Sequence, residues 1–115
     1  MNYKKIIVSV PLLFLLLAGQ AQTDAEKPAN EGDTTIVNSL IEQSKGHFTD
    51  SPALAISLST QAKSIAEKIP FPKGEAYALK NIGITNYYQG KYLEALEYYR
   101  QSLKIFTDIK DYVGM

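Results

Sequence analysis

Apolar side chains recur at steps of three and four along most of this chain, and the interruptions fall at Gly and Pro. Ile36, Val37, Leu40 and Ile41 share one face of a helix that opens near Asp33, a candidate N-cap. "GHFTD" breaks that stripe. Ala55, Leu58, Ala62, Ile65 and Ile69 form a second one. Ser51 can cap it and Pro52 can start it, because the first helical N–H has no acceptor within the helix. Pro70 and Pro72 close it. A third helix runs through "EAYALKNIGITNYYQ" and stops at Gly90. The fourth, "YLEALEYYRQSLKIF", sets Tyr92, Ala95, Leu96, Tyr99, Ser102, Leu103 and Phe106 on one face. "TDIKD" reads as a loop and "YVGM" as the opening of a fifth helix. No segment alternates with the period of a strand, so the pattern predicts an all-α fold of antiparallel helix hairpins.

The N-terminus breaks this pattern twice. Lys4 and Lys5 precede the apolar run Ile6 to Leu17, and Gly19 and Ala21 supply small residues before a cut after Ala21. That is the layout of a secretory signal peptide over residues 1–21. The run is short for a membrane span and Pro11 interrupts it, so no membrane attachment is expected after cleavage. Residues 22–33, "QTDAEKPANEGD", carry no large apolar side chain and read as a flexible tether. The helical domain then occupies 34–115, and the expected location is periplasmic or secreted.

The helices repeat. Ala95 lies 40 residues after Ala55, Ile105 after Ile65, Ile109 after Ile69 and Gly114 after Gly74, while Ser102 follows Ala62 at the same offset. The unit is a helix pair that returns about every 40 residues. It resembles the tetratricopeptide repeat, whose usual unit is about 34 residues. The resemblance is closest over 76–106. There Leu79 stands at the family's first large position, Ile82-Gly83 at its Leu-Gly pair and Gly90 at its turn glycine. Ala95, Tyr99 and Ser102 stand at its small, aromatic and second small positions. Residues 34–69 match weakly, with Gln43 where the glycine belongs and Ser59 where the aromatic belongs. The resemblance implies a short solenoid of stacked hairpins. The longer spacing is similar to repeats in exported bacterial signalling proteins. Gly83 would let the helices of a hairpin approach closely, and Tyr92, Tyr99 and Phe106 would pack between them.

Composition and motifs exclude several chemistries. The chain has 12 basic and 12 acidic residues, so no basic excess attracts nucleic acid. It has no Cys and one His, His47, which removes disulfides, thiolate sites and any recognisable metal-ligand set. No phosphate-binding loop is present. Glu94 and Glu97 sit one turn apart on a solvated face, where Glu97 suits a surface pair with Arg100. No catalytic residue, metal site or cofactor is expected.

The outer face of the third helix remains. Tyr77, Lys80, Ile84, Tyr87 and Tyr88 fall off the Leu79/Ile82/Gly83 packing stripe, with Asn81 beside them. The resemblance maps these six positions to a concave groove, where apolar-aromatic surface with one cation suits an extended peptide or a helix. The expectation is a non-enzymatic protein-interaction module with a protein or peptide partner. Two alternatives stay open. One is the N-terminal sensory segment of a larger signalling protein, such as a sensor histidine kinase. The other is a structural repeat protein that self-associates through its C-terminal helical face. A third unit begun at "YVGM" but not completed would leave part of the fourth helix's Tyr and Leu surface in solvent.

Overall fold

The structure, a computed structural model, describes residues 31–115, so the expected signal peptide and residues 22–30 of the tether lie outside the described residues. Four helices follow in order: α1 (Glu31–Lys45), α2 (Pro52–Lys68), α3 (Pro72–Tyr88) and α4 (Tyr92–Asp108). There is no strand among the described residues. Each helix packs on the next. α1 also touches α3, whereas α2 and α4 do not meet. Short connections between packed neighbours make two antiparallel hairpins, α1–α2 and α3–α4, stacked with α3 against both members of the first.

Small residues set the spacing. Val37 and Ile41 of α1 reach across to Ala62 and Ala66 of α2 and Ala78 of α3, and Leu40, Ile65, Ile69, Phe71 and Tyr77 close around them. The alanines leave room for the larger side chains opposite. Burying each Val or Ile contributes about 1.5–3 kcal/mol. In the second hairpin Ala95 and Ser102 are buried against α3, and the Ser102 hydroxyl donates to the Ala76 carbonyl at 2.7 Å. Gly83 brings the two helices together, since a Cβ there would stand 2.7 Å from the Tyr99 ring and 3.3 Å from the Ala95 carbonyl oxygen.

Three helix ends close alike. Phe71 N–H bonds Ala66 O at 2.8 Å, Lys91 N–H bonds Asn86 O at 2.9 Å, and Asp111 N–H bonds Phe106 O at 2.8 Å. Each is the six-residue closure of a Schellman turn. Gly90 takes the left-handed position of the middle turn at φ 76°, and Lys110 takes that of the last at φ 58°. The first and last closures lie 40 residues apart at both partners, so the repeat seen in the sequence is also a repeat of backbone geometry.

Burial fixes the register of the first unit. Val37, Ile41 and Ser44 are buried at the spacing of Leu79, Gly83 and Asn86, an offset of 42, while α2 and α4 align at 40. Ile41, not Gln43, therefore answers to Gly83. The difference is absorbed by the α1–α2 connection, 46–51, which is longer than the α3–α4 connection, 89–91. Bulk changes sides between units. Tyr99 of α4 faces Gly83 in the second hairpin, whereas the aligned residues of the first are Ile41 and Ser59. Ser59 is fully buried and its hydroxyl has no hydrogen-bond partner.

Several expected boundaries move. α1 begins at Glu31, so Asp33 lies in its first turn rather than capping it, and residues 31–33, expected in the tether, belong to the helix. Ser51 is the N-cap residue of α2, with Pro52 following, but its side chain makes no capping bond. α3 begins at Pro72, ahead of Glu75. Thr107 and Asp108 belong to α4, and 112–114 form a turn rather than a helix. Tyr92, expected to pack, is 63% exposed because it stands at the first position of α4, at the tip of the hairpin.

Candidate functional site

The six residues expected on one binding face separate into three environments. Asn81 belongs to the core. It is 2% exposed, and its Nδ2 donates to the Ile41 carbonyl at 3.2 Å and to Ser44 Oγ at 2.7 Å. Ser44 Oγ in turn donates to Ile41 O at 2.7 Å. A buried amide with these partners ties α3 to α1 and presents nothing to a partner, which corrects its place among the groove residues.

Tyr77 and Lys80 are half-buried by their own chain. Tyr77 meets Phe106 edge-on, with centroids 5.0 Å apart and planes at 78°. Its other side forms one wall of a groove with Asn38, Ile41, Glu42 and Lys45 of α1. Lys80 Nζ lies 5.9 Å from the centre of the Tyr77 ring and donates to the Gly114 carbonyl at 3.1 Å. Gly114 N–H donates to Asp111 Oδ1 at 3.1 Å, and Asp111 Oδ2 pairs with Lys73 Nζ at 3.4 Å. The Gly114 amide, with Lys73 beside it, holds the Asp111 carboxyl below its ordinary value. Gly114 fits because it lies directly on Phe106, whose ring leaves no space for a Cβ. The C-terminal residues are thus fastened to α3 by two lysines.

Lys80 and Ile84 line a pocket of about 320 Å³, together with Tyr99, Ser102, Leu103 and Phe106 of α4 and with Gly114 and Met115. Its walls are largely apolar. Lys80, Tyr99 and Ser102 are its polar lining residues, and the Ser102 hydroxyl is already committed to the Ala76 carbonyl. Burial pushes the Tyr99 phenol up, with the Tyr87 and Tyr88 phenols adding to the effect. Tyr99 stays a neutral donor at physiological pH.

Tyr87 and Tyr88 are exposed. They cluster with Tyr92 at the tip of the second hairpin: centroids lie 5.9 Å apart for Tyr87–Tyr88 and 5.4 Å for Tyr87–Tyr92. Of the aromatics expected to pack, Phe106 is buried and Tyr99 half-buried, whereas Tyr92 is exposed. Their shared stripe on α4 is real. It is wider than α3 alone covers, so Leu96 and Leu103 stay exposed, as expected of the fourth helix's Leu surface.

Other candidates resolve simply. His47 sits in the turn after α1 with Nδ1 3.4 Å from Asp50 Oδ2. Glu97 pairs with Arg100 at 3.5 Å. Among the described residues no group of three His, Asp or Glu side chains is placed to hold a metal, and no helix is long and apolar enough to cross a membrane.

A family model described as tetratricopeptide repeat matches residues 48–108. Comparisons with curated proteins and with solved structures gave no match.

Proposed function

The chain belongs to the tetratricopeptide repeat family, and on that premise we propose that it is a non-enzymatic protein–protein interaction module exported from the cytoplasm. The observation that carries the reading is the apolar pocket between α3 and α4, continuous in sequence with the exposed Tyr87 and Tyr88. Its partner is a protein segment bearing an apolar or aromatic side chain that enters between Ile84 and Leu103, with the tyrosines stacking on the flanking backbone. Aromatic residues around a small apolar cavity are the usual anchors of such contacts. Export rests on the basic, apolar and small-residue order of residues 1–21. Protein recovered from an exporting host is expected to begin at Gln22, and one still beginning at Met1 would contradict export.

The binding reading is tested by affinity capture with the purified chain, identification of the captured protein, and titration of that protein against variants. Ile84→Ser and Tyr88→Ala are expected to weaken binding at least about tenfold while helix content stays unchanged. Unchanged affinity in both variants would overturn the assignment of the pocket.

A further inference from the structure

α4 carries an apolar row that its repeat counterpart lacks. Leu93, Leu96 and Leu103 lie along its outer face, with Leu93 82% and Leu96 55% exposed. At the offset of 40, the α2 positions are Ala53, Ile56 and Lys63. Leu96 therefore keeps an apolar counterpart, whereas Leu93 and Leu103 are bulk that the repeat does not demand, and a contiguous exposed apolar surface marks an interaction site. Beside it runs a shallow hollow of about 290 Å³ lined by Arg100, Leu103, Lys104, Thr107 and Asp108. Arg100, Leu103, Lys104 and Thr107 stand at i, i+3, i+4 and i+7. Those are the four corners of a hole that accepts one side chain of a facing helix.

A knob of suitable size for that hole stands on the same helix. When two identical helices cross antiparallel near residue 100, residue 96 of one falls opposite residues 103 and 104 of the other. Leu96 then enters the hole, and symmetry repeats the contact. Charge agrees with this crossing. Glu97 and Lys104 are two turns apart on one flank of the row, so each faces the other's counterpart across the pair. Within one chain Glu97 already pairs with Arg100, and Lys104 Nζ reaches Asp108 at 2.8 Å, so both charges are held along that flank. Arg100 of each copy falls near the two-fold axis beside the other's Arg100, with the Glu97 side chains of both copies flanking the pair and offsetting their charge. A parallel, in-register pairing would instead set Lys104 near Lys104.

We propose that two copies of this chain pair antiparallel along α4. Leu96 of each sits in the other's Arg100–Leu103–Lys104–Thr107 hole, and Glu97 of each pairs with the other's Lys104. The interface is isologous, the same patch serving both subunits. The proposal does not rest on the pocket reading: Lys80 and Ile84 take no part in it, and Leu103, which borders both hollows, is left unchanged in every variant of its test.

Sedimentation equilibrium of the purified full chain over about 1–200 µM tests it, because a homodimer's population follows protein concentration. The wild type is expected to show a reversible monomer–dimer equilibrium. Leu96→Arg should weaken it at least about tenfold. Glu97→Lys and Lys104→Glu, both exposed changes, should each weaken it about tenfold with helix content unchanged. The double variant should return to within about threefold of wild type, because the swapped charges again face opposite partners. A monomer at every concentration would overturn the proposal, as would a dimer that ignores Leu96→Arg or a double variant that fails to recover. A chain that stays monomeric alone but loses a different protein on Leu96→Arg would assign the face to that protein instead.

Discussion

Asn81 of α3 reaches Ser44 of α1, Nδ2 to Oγ, across 2.7 Å of buried interface. The contact joins the two hairpins near the middle of α3, two residues before its close approach to α4 at Gly83. It also decides between two roles for Asn81. A groove residue would be dispensable to the fold, whereas a buried amide is not. Asn81→Ala removes two hydrogen bonds and leaves a cavity, and should cost about 1–3 kcal/mol in urea denaturation. A partner's affinity, corrected for the folded fraction, should not change. Lost binding with unchanged stability would return Asn81 to the binding face.

Gly83 sets the distance between α3 and α4. Alanine there would press on the Tyr99 ring and the Ala95 carbonyl. Gly83→Ala should destabilise the chain by about 1–3 kcal/mol despite its better helix propensity, and Gly83→Leu should unfold the second hairpin. Thermal melts followed by circular dichroism would show it. A more stable Gly83→Ala variant would mean that the helices are not in close contact at this point.

The two left-handed turn positions predict opposite signs. Gly90 has φ 76° with open space where a Cβ would stand, so Gly90→Ala costs only backbone strain, about 1 kcal/mol. Lys110 holds the same kind of turn at φ 58° as a non-glycine residue. Lys110→Gly should relieve that strain and raise stability by up to about 1 kcal/mol. Paired melts of the two variants check both directions at once.

Acid should release the C-terminal residues. The folded pKa of Asp111 is depressed below its ordinary 3.8 by the Gly114 amide and by Lys73. A depressed carboxylate contributes stability that is complete above its unfolded pKa and is lost as pH falls through the folded value. Gly114 amide exchange should therefore quicken relative to the core as pH drops from about 5 to below the folded pKa. Asp111→Asn can still accept a hydrogen bond but does not titrate, so the pH dependence should vanish in it. An equal pH response in that variant would assign the effect elsewhere.

Much of the helical plan was legible from the sequence. Pro52 and Gly90 mark a start and a stop that the structure keeps, and Ala95 and Ser102 announce a close helix contact that the structure makes. Other features depend on tertiary partners that no local pattern carries. Asn81 lies on one face of the wheel with Tyr77 and Tyr88, at i+4 of the first and i−7 of the second, and reads as solvated until α1 arrives with Ser44 and Ile41. The register of α1 was hidden because bulk moves from the Tyr99 side to the Ile41 side, which removes the glycine that would have marked it. Tyr92 shares the spacing of Tyr99 and Phe106, yet it stands at the tip of α4 and remains in solvent. "YVGM" has helical composition, but Asp111 and Lys80 capture Gly114 in a turn.

The central claim is that a protein partner docks in the α3–α4 pocket. Nuclear magnetic resonance titration of the isotope-labelled chain with the captured partner tests it most directly. The account predicts chemical-shift changes concentrated at Lys80, Ile84, Tyr87, Tyr88, Leu103 and Met115, with Asn81, Ser44 and the outer face of α2 unmoved. Changes centred on α2, or spread evenly through the core, would contradict it.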